Sequence, residues 1–239
     1  MLVIKSPLRI SLFGGGTDLP HYCEEHGSTI ISFAIDKYIY LAHNERTTGG
    51  YRVTYSEVEE LDNLSSVRHT LVRAAAEQWG SLPCTLTIVG DVPKGTGLGS
   101  SSALSVALCK LYLGELDNEE LFEVAFALES SVNPQVGAQD FLPAIYGGLN
   151  IYKIDEDFKV TVGGLPNVAK EVINKYGLLL YTGSSRDAQE VLTTWSAPRL
   201  DNPLGEIHKL ADSIVRTPRN WFPEALGDRL DSTWKMKRR

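Results

Sequence analysis

The spacing of apolar positions changes along this chain, from alternation in the first half to a period of about 3.6 in the second. "VIKSPLRISLF" reads as an extended strand in which Pro7 demands an edge or a bulge. "STIISFAID" and "KYIYLAHNER" are rich in β-branched and aromatic residues and predict two further strands. "YRVTYSEV" alternates cleanly, and Thr47-Thr48-Gly49-Gly50 before it predicts a hairpin connection. In "SSVRHTLVRAAAEQWG" the spacing of Val67, Leu71 and Ala74 or Ala75 predicts a helix that Gly80 stops. "CTLTIVG" is a strand, followed by helices from Ser100 to near Leu113 and from Glu119 to near Ser130. Leu121, Val124, Ala125 and Leu128 form the apolar stripe of the second helix.

Beyond it, "FLPAIYGGLNIYKI" ends in a strand that "FKVTVGG" can pair with, and "LLLYTG" predicts one more after "LPNVAKEVINKYG". "SRDAQEVLTTW", "NPLGEIHKLADSIV" and "PEALGDRLDSTWKMKRR" carry helical patterns. The change from strand-rich to helix-rich sequence places a boundary between residues 1–160 and 161–239, with no internal repeat or low-complexity linker.

One stretch carries more chemistry than its periodicity requires. "VPKGTGLGSSSALSVALCKLYLG" sets Gly95, Gly97 and Gly99 and then Ser100, Ser101 and Ser102 between a strand and a helix. Helix N-termini present unpaired N–H groups and a positive dipole end, so they bind anions, phosphates above all. The glycines let the backbone approach a ligand closely, and the serine hydroxyls can bond phosphate oxygens or ligate Mg²⁺. A plain turn with Ser100 as helix cap needs one glycine and one serine, whereas here there are three of each. No lysine follows in the manner of a P-loop, and the next element is a helix rather than the second strand of a dinucleotide fold.

Composition narrows the classes. With 23 Lys and Arg against 30 Asp and Glu, the formal charge of −7 argues against a nucleic-acid partner, while leaving room for a locally positive pocket. Cys23, Cys84 and Cys109 match no disulfide or zinc spacing, and the five histidines form no metal motif. The opening segment lacks the features of a signal peptide, and no run approaches the ~18 apolar residues of a membrane span. These features predict a cytoplasmic protein without a membrane partner.

"PKGTGLGSSSA", Pro93 to Ala103, resembles the phosphate loop of the GHMP small-molecule kinases, with one extra serine before the alanine. "KSPLRISLFGGGTD", Lys5 to Asp18, resembles their substrate motif, and its triple glycine is similar to the sugar-1-kinase branch that includes heptose 7-phosphate kinases. "LLYTGSSRDAQEVL" is similar to that branch as well. The resemblance implies an α+β, two-lobed fold: a lobe like the second domain of ribosomal protein S5 and a partial, ferredoxin-like C-terminal lobe. It implies ATP and Mg²⁺, a sugar or sugar phosphate as acceptor, and transfer to the anomeric hydroxyl. Pro93, Gly95, Gly97, Leu98, Gly99, Ser100, Ser101 and Ser102 would then bind ATP, and Ser101 with Glu129 would hold Mg²⁺. Glu129 stands in the last turn of its helix, where the dipole disfavours a carboxylate by a few tenths to ~1 kcal/mol.

Asp140, in "VGAQDFLPAIYGG", would be the base, with helix capping as its plainer task, and Arg9 would steady it and the developing phosphate charge. Gly15, Gly16, Thr17 and Asp18 would receive the sugar. Lys94 and Arg186 are candidates for a second anionic group, with Lys94 better read as an exposed loop lysine. A further glycine-rich motif found toward the C-terminus of relatives has no match, so the second lobe reads as incomplete, and a second copy or partner chain would cover it. The competing functions are a kinase for a non-sugar alcohol and a catalytically silent nucleotide- and sugar-binding regulatory subunit.

Overall fold

The computed structural model describes residues 1–183, 201–217 and 221–238. A mixed seven-stranded sheet forms its centre: β1 (Leu2–Phe13), β2 (Ser28–Glu45), β3 (Tyr51–Thr54), β4 (Val58–Leu61), β5 (Cys84–Gly90), β6 (Leu149–Ile154) and β7 (Val160–Gly164). The order is β4-β3-β5-β2-β6-β7, and β1 pairs along β2. The helices are α1 (Pro20–His26), α2 (Thr70–Trp79), α3 (Ser100–Leu113), α4 (Asn118–Ser130), α5 (Phe141–Tyr146), α6 (Asn167–Tyr176), α7 (Asp201–Arg216) and α8 (Pro223–Lys237).

Adjacent residues on the central strands point to opposite faces, and this alternation builds two cores. Ile30 and Tyr152 join Leu8, Leu86 and the buried faces of α2 to α5. Their neighbours Ile31 and Ile151 join Phe13 in a second cluster with Ala169, Leu210, Ile214, Trp221 and Leu226, from α6 to α8. The later helices therefore pack on the reverse face of the same sheet. β7 belongs to that sheet and runs across residue 160, where the first segment was expected to end.

Three local differences have physical causes. The two strands expected over residues 28–46 are one continuous β2, because residues 28–33 pair with β6 and residues 39–45 with β5 while β1 follows both halves. Thr47–Gly50 does not make a hairpin, since β5 occupies the place beside β2 and β3 pairs parallel to β5 and antiparallel to β4. A short loop favours a hairpin only when the neighbouring edge is vacant. "LLLYTG" forms no strand: Leu178 to Tyr181 are exposed, and among the described residues no strand lies beside them. An apolar run without a pairing edge lacks the hydrogen bonds that make it a strand. The helical pattern over residues 185–195 lies outside the described residues.

Pro7 behaves as its chemistry requires. The β1–β2 register shifts between Pro7 and Arg9, leaving Leu8 outside the pairing while Arg9 resumes it opposite Ala34. α4 begins with a capping box: Asp117 accepts from Glu120 N at 2.9 Å, and Glu120 returns to Asp117 N at 3.3 Å. That cap fixes the helix whose far end carries Glu129.

Candidate active site

Gly95, Gly97 and Gly99 have φ of 79°, 71° and 72°, a region that residues with a Cβ rarely enter. Gly99, not Ser100, is the N-cap of α3, and no side chain caps the helix there. Its first-turn amides are thus left for a ligand, with Ser101 exposed beside them. Gly99 is also crowded: a Cβ would lie 3.2 Å from Arg9 Cγ and 3.4 Å from Asp140 Cβ.

Arg9 joins the loop to a carboxylate. Its backbone N–H donates to Leu98 O at 3.0 Å, and Nη1 donates to Gly97 O at 2.7 Å. Nε donates to Asp140 Oδ1 at 2.9 Å, and Nη2 forms an ion pair with the same oxygen. A surface arginine on a strand edge makes no such set of bonds. Asp140 stands at the start of α5 without capping it, which sets aside the capping role. Its side chain keeps 23% exposure, enough to reach a ligand.

Glu129 is the second carboxylate, and it is buried at the end of α4. Burial pushes its pKa up to about 7, while the hydroxyls of Ser101, Ser102 and Ser105 favour its ionised form. Ser105 Oγ donates to Glu129 Oε2 at 3.0 Å, whereas the buried Ser102 Oγ has no well-aligned partner. Ser105 was not among the expected residues, although it lies one turn beyond Ser101 on the same helix face. Among the described residues no three His, Cys, Asp or Glu side chains cluster as a complete metal site.

The triple-glycine loop is held from below. Gly14 has φ 83°, and a Cβ there would lie 1.9 Å from Thr29 O. Thr17 Oγ1 donates to Gly14 O at 2.7 Å and shares a hydrogen bond with Ser28 Oγ at 2.6 Å. Asp18, expected to receive the sugar, is held by backbone amides. Fully buried, it accepts from Gly16 N and Gln139 N, both at 2.9 Å. It therefore clamps the glycine loop to the segment carrying Asp140, with one backbone amide on each oxygen. Burial raises its pKa, and the bond from Gln139 N opposes that rise. Gly137 makes room for the clamp, since a Cβ there would sit 2.1 Å from Asp18 Oδ2.

Gly15 is approached by residues the sequence did not flag. A Cβ on it would lie 2.6 Å from Gln139 Oε1, 3.0 Å from Ser11 Oγ and 3.3 Å from Lys237 Nζ. Pro93 and Lys94 are exposed on the far side of the phosphate loop, and Leu98 is partly buried. Arg186 lies outside the described residues.

Comparison with known proteins finds similar chains and folds. Residues 67–148 match the family model "GHMP kinases N terminal domain". D-glycero-alpha-D-manno-heptose 7-phosphate kinase of Campylobacter jejuni is 28% identical over 212 residues, covering 78% of this chain and 61% of that protein. A mevalonate kinase of Pyrococcus abyssi is 26% identical over 219 residues, covering 80% of this chain and 60% of that protein. The chain thus spans less than two thirds of the length of these relatives. A crystal structure of a D-glycero-D-manno-heptose 1-phosphate kinase from Bacteroides thetaiotaomicron superimposes with TM-score 0.75 at 19% identity, covering 99% of this chain and 79% of that one. A Streptococcus pneumoniae phosphomevalonate kinase in complex with phosphomevalonate and AMPPNP gives 0.74 at 14% identity, with the same coverages. Residues 67–148 are thus similar to the N-terminal domain of the GHMP kinases, and the chain shares its α+β fold with solved kinase structures.

Proposed function

We propose that the protein transfers the γ-phosphate of ATP to a hydroxyl of a sugar or sugar phosphate, of the heptose 7-phosphate type, at the anomeric position. The observation that carries this reading is Arg9, held at once by the phosphate loop at Gly97 O and by Asp140. A pure binding site has no need of a carboxylate fixed beside the phosphate cradle; a phosphoryl transferase does. The triple-glycine loop and the heptose kinase relative favour a sugar over the alcohol of the mevalonate kinases.

The chain's own groups divide the work. Residues 95–102 receive the phosphates through backbone amides and hydroxyls at the start of α3. Asp140 accepts the proton as the acceptor oxygen bonds to the γ-phosphorus and the bond to the β–γ bridging oxygen breaks, releasing ADP. Arg9 fixes Asp140 in place and sets a positive charge where negative charge develops. Glu129 with the hydroxyl of Ser101 or Ser102 would offer the hard oxygen donors that suit Mg²⁺. When bound, Mg²⁺ supplies charge neutralisation at the phosphate oxygens.

The test is Mg·ATP turnover with a panel of sugars and sugar phosphates, comparing the wild type with Asp140→Asn. Acceptor-dependent ADP release is expected from the wild type and a loss of at least about a hundredfold in kcat from the variant. Nucleotide binding without turnover on any acceptor would replace this reading with that of a regulatory nucleotide-binding chain.

A further inference from the structure

We propose that the protein carries a second small-molecule site, for a flat aromatic amine, at the end of α3 remote from the phosphate loop. A cavity of about 420 Å³ opens there, within the size range of small-ligand sites. Strand alternation fixes its floor. Glu45 pairs with Cys84 and His43 with Leu86 across β2 and β5, so all four face the side of the sheet on which Leu86 joins the first core. Trp79, the last residue of α2, and Leu111 and Tyr112, in the last turn of α3, form the walls.

The site is preformed and open. Gly80 ends α2 with φ 72°, and a Cβ on it would meet nothing within 4 Å. The loop that follows is tied at two points. Tyr51 Oη donates to Ser81 O at 2.7 Å, and Arg46 N donates to Pro83 O at 2.9 Å. Leu82 stands 74% exposed on that loop, and Glu45 and Gly80 are exposed as well, so the mouth faces solvent.

The lining selects the ligand. The rings of Trp79 and Tyr112 lie 5.5 Å apart at 39° and offer aromatic surface to a planar ring, a contact that contributes beyond simple burial. Glu45 is the only Asp, Glu, Lys or Arg among the described lining residues, and it enters no ion pair with any of the described residues. A carboxylate at the mouth of an apolar hollow attracts a cation and repels phosphate. The site therefore discriminates against the nucleotide that the phosphate loop is proposed to receive. Tyr112 stands twelve residues beyond Ser100 on α3, about 18 Å along the helix, so the two sites are separate.

The test follows binding at Trp79 itself and needs no turnover, so it stands apart from the kinase reading. In ¹⁵N-labelled protein the Trp79 indole N–H resonance is identified by its absence from Trp79→Phe. The protein is titrated with phenethylamine, the neutral phenethyl alcohol, the anionic phenylacetate and the saturated cyclohexylethylamine. The expected result is a saturable shift with phenethylamine at millimolar concentration, which suits so small a probe, and the same shift with Mg·AMPPNP present. The alcohol and the carboxylate bind about threefold more weakly or worse, and the saturated amine about twofold more weakly or worse. Glu45→Gln, at an exposed position, removes the preference for the amine and leaves affinity for the alcohol unchanged. A Trp79 resonance unmoved by phenethylamine, equal affinity for any of the three analogues, an intact preference in Glu45→Gln, or displacement of the amine by Mg·AMPPNP would each overturn the proposal.

Discussion

Replacing Glu129 with glutamine isolates the cost of keeping a carboxylate ready for a cation. Glu129 is almost completely buried, and its pKa stands at about 7 against an ordinary value of 4.5. A rise of this size corresponds to about 3 kcal/mol of differential stabilisation between protonation states. Because the folded-state value is the higher one, the folded protein holds a proton that the unfolded chain has released. That stability is fully present below about pH 4.5 and is lost as pH rises through about 7. Glutamine keeps an oxygen for the Ser105 hydroxyl but does not titrate. Urea unfolding of wild type and Glu129→Gln in the absence of Mg²⁺ should therefore give a stability difference that changes by about 2 to 3 kcal/mol between pH 5 and pH 8, in favour of the variant at pH 8. The same variant should lose Mg·ATP turnover. A difference that stays constant with pH would show that Glu129 is ionised throughout, and the account of a strained, cation-seeking carboxylate would fail.

Other perturbations address the remaining parts of the site. Gly137→Ala drives a methyl group into Asp18 Oδ2, so it should cost about 2 kcal/mol or more in urea unfolding through the broken clamp to Gln139 N. Arg9→Lys keeps the charge but cannot span Gly97 O and Asp140 together, and kcat should fall by about tenfold or more with little change in thermal stability. If Glu129 holds Mg²⁺ as proposed, half-saturation by the cation should move to higher concentration between pH 8 and pH 6, because protonation of Glu129 below about pH 7 would remove that ligand. Cys23, Cys84 and Cys109 are buried, with Cys23 and Cys109 pushed up to about 12, so a thiol reagent at pH 8 should label them only after unfolding.

What could be read from sequence divides by how far the information travels along the chain. The phosphate loop is local: a strand, alternating glycines and a helix start lie within 20 residues of one another, and backbone conformation there follows from residue type. The stripe on α4 and the alternation in β6 are equally local, and both elements form where periodicity places them. Arg9 and Asp140 are 131 positions apart, and their approach was anticipated only through resemblance to a family. Pairing of β5 beside β2 was missed because a turn signal at Thr47–Gly50 says nothing about which strand claims the adjoining edge. Asp18 shows the same limit at the level of one side chain: its type announces an acceptor of hydrogen bonds, but two backbone amides, one of them 121 positions away, decide what it accepts. Lys237 lies furthest from any local signal, since a lysine at a helix end reads as a dipole partner wherever it occurs. Its place beside Gly15 depends on Trp221 meeting Phe13 on the reverse face of the sheet. Side chains from both faces of the sheet therefore meet at the triple-glycine loop, and a change in the packing of α8 should shift Lys237 while leaving the phosphate loop intact.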